Sequence, residues 1–262
     1  MNLQKAIIFI NSGQMSAGKS SLISKLDPAC VLILTSIYLV FILSIPLTKP
    51  DHLIWYAIFP ILMAPLTDIT YSSVFRKSLF VLPFIILIGI FNPILDKDVV
   101  FEIGNFEITA GWITFLSLIV RGLLAMQVLI ILIHQAGFIE ICNALNRLGM
   151  PKVLTIQLLM LYRYLRILME EAVSIHYSVS SRGYGKKSFP IKFWSRMVGN
   201  LLFRTVERAR HIHQAMISRG FDGNIPLGKK YKWTMGDTAF LGGWIVVFFL
   251  IYFCNFSKFL IA

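Results

Sequence analysis

Residues 111–135 read GWITFLSLIVRGLLAMQVLIILIHQ, and this run decides the class of fold. An α-helix needs about 20 consecutive, mainly apolar residues to cross the hydrocarbon core of a bilayer. This stretch exceeds that length and carries one charged side chain, Arg121. Comparable runs lie at about 29–47, 53–67 and 78–95, and another follows much later at about 238–256. The second is short and holds Pro60 and Pro65, so it is expected to be kinked, tilted or partly re-entrant. Asn92-Pro93, near the end of the third, marks a helix end or a bend. With 56% hydrophobic residues and a mean hydropathy of +0.72, the chain is read as an all-α, polytopic membrane protein with about five transmembrane helices.

The charge balance fixes an expected orientation. Only 15% of the 262 residues are charged, yet the formal net charge is +12. In a soluble protein such an excess would point to nucleic acid; here its distribution gives a better account. With the N-terminus inside, the inner segments hold Lys5, Lys19, Lys25, Arg76, Lys77 and the sixteen basic residues between Gly137 and Asp237. The outer segments hold Lys49, Lys97 and Lys258, and the 98–107 loop carries Asp98, Glu102 and Glu107. Positive residues concentrate on the cytoplasmic side of membrane proteins, so the expected topology is N-in and C-out with five spans, in the cell membrane. No cleavable signal is expected, because the first long apolar run begins only near Ala29. Cys30, Cys142 and Cys254 are too scattered for a disulfide framework or a Cys-rich metal site.

After Gln135 the chain changes character. Gly137–Leu148 is a short amphipathic segment stopped by Gly149-Met150-Pro151. Leu154, Leu158, Leu161, Leu165, Leu168, Ala172, Ile175 and Val179 then alternate spacings of four and three, which places one apolar stripe along a long helix. Arg166 and Glu170 stand four apart on its flank, in pairing distance. A linker from Tyr184 to Pro190 leads to a second helix with Val198, Leu202, Val206, Ala209, His213 and Met216 at similar spacing. The stripes themselves are read as packing surfaces of an antiparallel helical hairpin, set against each other and against the membrane domain. Both helices close on the same tripeptide, Ser181-Arg182-Gly183 and Ser218-Arg219-Gly220. Glycine suits the left-handed cap, and a cation is favoured at the negative end of a helix dipole. A cap does not require an arginine both times. Guanidinium keeps its charge and makes forked hydrogen bonds to carboxylates, so the two ends read as paired plugs for a partner.

Three tempting motifs are set aside or left open. Gly13-Gln14-Met15-Ser16-Ala17-Gly18-Lys19-Ser20 matches the phosphate-loop pattern letter for letter. A phosphate loop needs a following helix in an α/β domain and a later acidic strand end. Here Asp27-Pro28 stops any helix after about two turns, and the membrane begins at once. His211 and His213 are two apart on a helix and do not share a face, and with His176 they are not read as a metal site. Arg121 is an intramembrane charge and a functional suspect by default; it either snorkels or pairs with Asp68 at the inner edge of the second span.

These residues resemble a known family, the transmembrane T component of energy-coupling-factor transporters, most closely its CbiQ-like cobalt branch. The sharpest parts are Leu145–Pro151, Glu170-Glu171-Ala172 and the run from Gln214 to Gly223. The paired Ala-Arg-Gly signature of the family corresponds to the two Ser-Arg-Gly copies, with Ser in place of Ala. Ala29-Cys30 stands where a basic pair often follows Asp-Pro, which puts any role of that pair in doubt here. The resemblance implies a non-enzymatic coupling subunit with no cofactor of its own. Two partner ATPases would bind the ATP, and a separate membrane protein would capture the substrate. Arg182 and Arg219 would anchor one helix tip in each ATPase, and Gly183 and Gly220 would permit the tight ends. Cobalt is the implied cargo; the same role for nickel or a vitamin, or a self-sufficient permease, are the alternatives. The expected organisation is a cytoplasmic N-terminal segment at 1–28 and a membrane domain of four spans at 29–135. A cytoplasmic coupling-helix region follows at 136–237, then a last span with the C-terminus at 238–262.

Overall fold

The computed structural model describes residues 26–46, 51–96, 99–103, 106–182, 191–223 and 233–253. The phosphate-loop match at 13–20, Gly183 and Cys254 lie outside them. Two compact units divide the described chain, one of residues 26–144 with 233–253 and one of residues 145–223.

The first unit is built from apolar helices. α1 (Pro28–Ser44) opens on Asp27, whose Oδ1 accepts the Ala29 N–H at 3.0 Å. Pro28 occupies the first helical position, where its missing N–H costs nothing. The second apolar run forms α2 (Asp51–Tyr56) and α3 (Ile58–Leu66), separated at Ala57. The expected kink is therefore real, and Pro60 explains its place. Proline has no N–H to give the carbonyl four residues back, which is that of Tyr56. The Tyr38 hydroxyl donates to that carbonyl at 3.1 Å instead. α3 ends on Asp68, held at φ 57°, with the Ile69 N–H on the Ala64 carbonyl and the Asp68 N–H on that of Pro65. This is a Schellman closure with aspartate where glycine is usual.

The third span starts earlier than its apolar run. It extends over Tyr71–Ile94, so Arg76 and Lys77 lie on its leading helix, α4 (Tyr71–Ser78), and not in a loop. A 3₁₀ turn at Leu79–Val81 precedes α5 (Leu82–Gly89) and the short α6 (Asn92–Leu95). Pro83 and Pro93 each sit in the first turn of a new helix, so the bend read at Asn92-Pro93 is present. The segment read as a loop at 98–107 contains an antiparallel hairpin, β1 (Val99–Ile103) with β2 (Phe106–Thr109).

α7 (Ala110–Arg147) continues the fourth span and breaks at Gly137, at φ 71° and ψ 161°. Only glycine adopts that conformation without strain. The third span lies close against α7. A Cβ on Gly111 would stand 2.6 Å from the Asn92 carbonyl oxygen, and one on Gly89 would stand 2.8 Å from the Phe115 ring. Small residues allow such close approach between spans. α10 (Met235–Phe253) packs on α1. The core between them is aromatic: Tyr38 and Phe59 have ring centroids 4.8 Å apart, Phe59 meets Trp244 edge-on at 4.7 Å, and Tyr56 donates its hydroxyl to the Phe248 carbonyl. Among the described residues, three helical stretches are long and apolar enough to cross a membrane, namely Tyr71–Ile94, Ala110–Arg147 and Met235–Phe253, and Pro28–Ser44 and His52–Leu66 are shorter apolar helices. The chain is an all-α polytopic membrane protein with one small hairpin.

The second unit contains α8 (Lys152–Arg182) and α9 (Ile191–Ser218). It begins at Leu145, whereas the sequence reading drew the change of character at 136.

Candidate functional site

The end of α9 is a complete Schellman motif. Gly220 takes φ 77°, its N–H bonds the Ile217 carbonyl at 2.9 Å, and the Phe221 N–H reaches the Met216 carbonyl at 3.0 Å. Phe221 and Met216 also line one groove. The same geometry closes the preceding turn of chain at Gly149, held at φ 103°, with Met150 N–H on the Leu145 carbonyl. A Cβ on Gly220 or Gly149 would meet nothing within 4 Å. Backbone conformation, not crowding, therefore asks for glycine at both.

The two tripeptides share a further detail. Ser218 donates its hydroxyl to the Gln214 carbonyl, and Ser181 donates to that of Tyr177, each at 3.0 Å. Each serine is thus spent on its own helix, one turn back. What remains to face outward at the α9 tip is Arg219, which is exposed and belongs to none of the described ion pairs. Ser181 is exposed as well, and Arg182 is the last residue of α8. Among the described residues, no three His, Cys, Asp or Glu side chains converge as a metal site. His211 and His213 are both exposed.

The seam between α8 and α9 departs from the expected stripe. Ile156, Met160, Tyr164 and Leu168 of α8 face Ala209, Ile212, His213 and Met216 of α9 across an open groove of about 320 Å³. Leu154, Leu161 and Leu165, three of the eight residues of the predicted α8 stripe, are exposed. On α9 the stripe splits: its C-terminal half lines the groove, while Val198, Leu202 and Val206 are exposed. The helices therefore meet over part of their length and leave apolar side chains uncovered on the rest. Arg166 and Glu170 pair at 3.9 Å, as their spacing predicts. Glu171, its neighbour, reaches across to α9 and stands 3.3 Å from both Arg204 and Arg208. No periodicity marks that contact, because it depends on how two separate helices cross.

Arg121 does not pair with Asp68. Its guanidinium donates to the carbonyl oxygen of Ile45, the residue that caps α1. The last carbonyls of a helix have no intrahelical donor, and inside a membrane only protein can supply one. Asp68 cannot serve as the partner here: it is exposed and committed to the left-handed closure of α3.

A second contact was also invisible in the sequence. Asp237, fully buried in the first turn of α10, accepts the Thr234 N–H and hydroxyl at 2.7 Å through Oδ2. Through Oδ1 it accepts the Asp27 N–H at 3.0 Å. One carboxylate thereby caps its own helix and ties down the start of α1.

Uncovered apolar faces on long basic helices, a glycine-closed α9 tip and a polytopic apolar anchor are the features of a membrane protein with a surface left for partners. The family model described as cobalt transport protein, CbiQ, matches residues 19–230, and the chain belongs to that family, the CbiQ-like T components of energy-coupling-factor transporters. The energy-coupling factor transporter transmembrane protein EcfT of Leuconostoc gelidum is 27% identical over 255 residues, covering 88% of this chain and 93% of the relative. The cobalt transport protein CbiQ of Salmonella typhimurium is 34% identical over 98 residues, covering 37% of this chain and 43% of its own. An uncharacterized protein of Methanocaldococcus jannaschii, MJ1571, is 23% identical over 160 residues. That match takes in 60% of this chain and spans about half the length of the relative, 54%.

Proposed function

We propose that the chain is the coupling subunit of an ATP-driven importer in the cell membrane, with its N-terminus and both long basic helices on the cytoplasmic side. It performs no chemistry of its own. Two partner ATPases bind and hydrolyse ATP, and a separate membrane protein captures the substrate, which is cobalt. The α8 and α9 tips seat in the ATPases, where Arg182 and Arg219 engage acidic or carbonyl groups, and closure of the ATPases moves the helices against the capture subunit.

The observation that carries this reading is the α9 tip: a Schellman-closed helix end, its serine bonded inward, presents Arg219 to the outside, with Asp222 exposed beyond it. A fixed charge on a rigid support transmits force without losing register. The matched serine bond at Ser181 supports a like role for the α8 tip.

The test is charge reversal. Arg182→Glu and Arg219→Glu, singly and together, are expected to insert normally and to lower both ATPase co-purification and metal uptake, the double variant by about tenfold or more, in keeping with loss of a charge-assisted contact. Uptake is measured with cobalt and nickel side by side on the reconstituted complex. A double variant that assembles and transports like the parent overturns the docking role. Uptake of nickel without cobalt overturns the cargo.

A further inference from the structure

The contact between α8 and α9 is unevenly built. Its apolar part borders an open groove of about 320 Å³ lined by Ile156, Leu168, Ile212 and Met216 among others. Close-packed interiors resist sliding because every displacement creates overlap or a void; a seam with this much space does not. Beside it lies a polar junction of another kind. Glu171 keeps only 15% of its side chain exposed. Arg204 donates to its Oε1 at 3.3 Å, and Arg208, one turn further along α9, stands 3.3 Å from Oε2. These are the ion pairs that cross between the two helices among the described residues.

We infer that Glu171 is the positioning residue that sets the crossing register of α8 and α9, and so the spacing of the two arginine-bearing tips. This rests on the coupling role proposed above. A single carboxylate that accepts a hydrogen bond from one cation and is faced by a second on the next turn, with no hydrogen bond to Oε2, resists both translation and rotation, because either motion lengthens one contact. The apolar groove next to it lets the helices rock about that point without losing packed surface. Glu170 cannot substitute, since it is paired along its own helix with Arg166 and is exposed. Arg204 and Arg208 keep 62% and 42% of their side chains exposed. Arg204 does not line the groove, so its replacement leaves the apolar seam intact, whereas Arg208 also contributes to the groove wall.

The experiment has two arms on the full chain. In the first, spin labels at Ser174 of α8 and Gln214 of α9, both exposed, report interhelical distance in nanodiscs, with the three native cysteines replaced by serine. The parent is expected to give one narrow distribution. Glu171→Gln, and separately the Arg204→Gln/Arg208→Gln double variant, broaden it. The swap of Glu171→Lys with Arg204→Glu and Arg208→Glu narrows it again. An unchanged distribution in both neutralised variants overturns the clamp, and it does so whether or not the chain drives transport. In the second arm, the reconstituted complex is assayed for ATP hydrolysis and cobalt uptake together. Neutralising Glu171 is expected to lower uptake per ATP by about tenfold, within the range a coupling residue commands, with ATPase association retained. Parallel loss of association and uptake, or uptake unchanged beside a broadened distribution, overturns the positioning role. A parent complex that shows no uptake at all counts against the coupling reading itself, and the distance arm still decides the clamp.

Discussion

Two glycines of α7 face the third span, and their neighbours differ in what they can yield. At Gly111 a methyl group would meet the carbonyl oxygens of Asn92 and Asp96 and the Cα of Pro93, all main chain. At Gly122 it would meet only the flexible end of Ile85. Gly111→Ala is therefore expected to destabilise the membrane unit by about 1–3 kcal/mol through overpacking, and Gly122→Ala by about 1 kcal/mol or less, the cost of a shifted rotamer. Thermal denaturation in one detergent, read as the difference in midpoint between the two variants, checks this; equal midpoints contradict it. Arg121 illustrates what one residue reveals in sequence and what it withholds. A charge inside an apolar run is conspicuous, so Arg121 stood out at once. Its partner did not, because the Ile45 carbonyl becomes a binding group only when α1 ends there.

Among the elements, the long helices were legible as helices and only half legible as surfaces. The 4-3 spacing located α8 and α9, and the glycine located the end of α9, since caps are written in local sequence. It misplaced the contact. The α8 face toward α9 is Ile156, Met160, Tyr164 and Leu168, a run of successive fours, with Leu161 and Leu165 outside it. An amphipathic helix with more than one apolar neighbour carries overlapping stripes, and periodicity cannot say which neighbour each stripe serves. The consequence is a reversed expectation for substitutions that look alike on paper. Leu168→Ala is expected to loosen the α8–α9 pair by about 1–2 kcal/mol, at the low end for a leucine because the site is already open. Leu161→Ala is expected to change the isolated chain by less than about 0.5 kcal/mol, as exposed positions do. Hydrogen exchange along α8 and α9 distinguishes them: faster exchange in the Leu161 variant and not in the Leu168 variant contradicts the assignment. The apolar runs told a similar story. Prolines announced the broken second and third spans, but Arg76 and Lys77 disguised the start of the third, because a charged first turn reads as loop when only hydropathy is counted.

For the molecule as a whole, the strongest long-range signal was the distribution of Lys and Arg, and it leads to a direct test. Single cysteines at Ser178 and Ser218 are expected to react with a membrane-impermeant maleimide only after the membrane is opened, and a cysteine at Gly104 to react in intact cells; the opposite pattern inverts the topology. What no count of charges could disclose was which spans neighbour which. α1 and α10 are joined at their starts by Asp237 and along their lengths by Tyr38, Tyr56, Phe59, Trp244 and Phe248. The amide of Asp27 and the carboxylate that receives it are 210 positions apart in the chain. During synthesis, then, α1 must wait in the lipid with a wall missing until α10 has emerged from the ribosome. Any product that stalls before Asp237 exposes an aromatic flank and an unanswered amide, which gives membrane proteases and insertion chaperones a clear mark by which to tell an unfinished copy from a finished one.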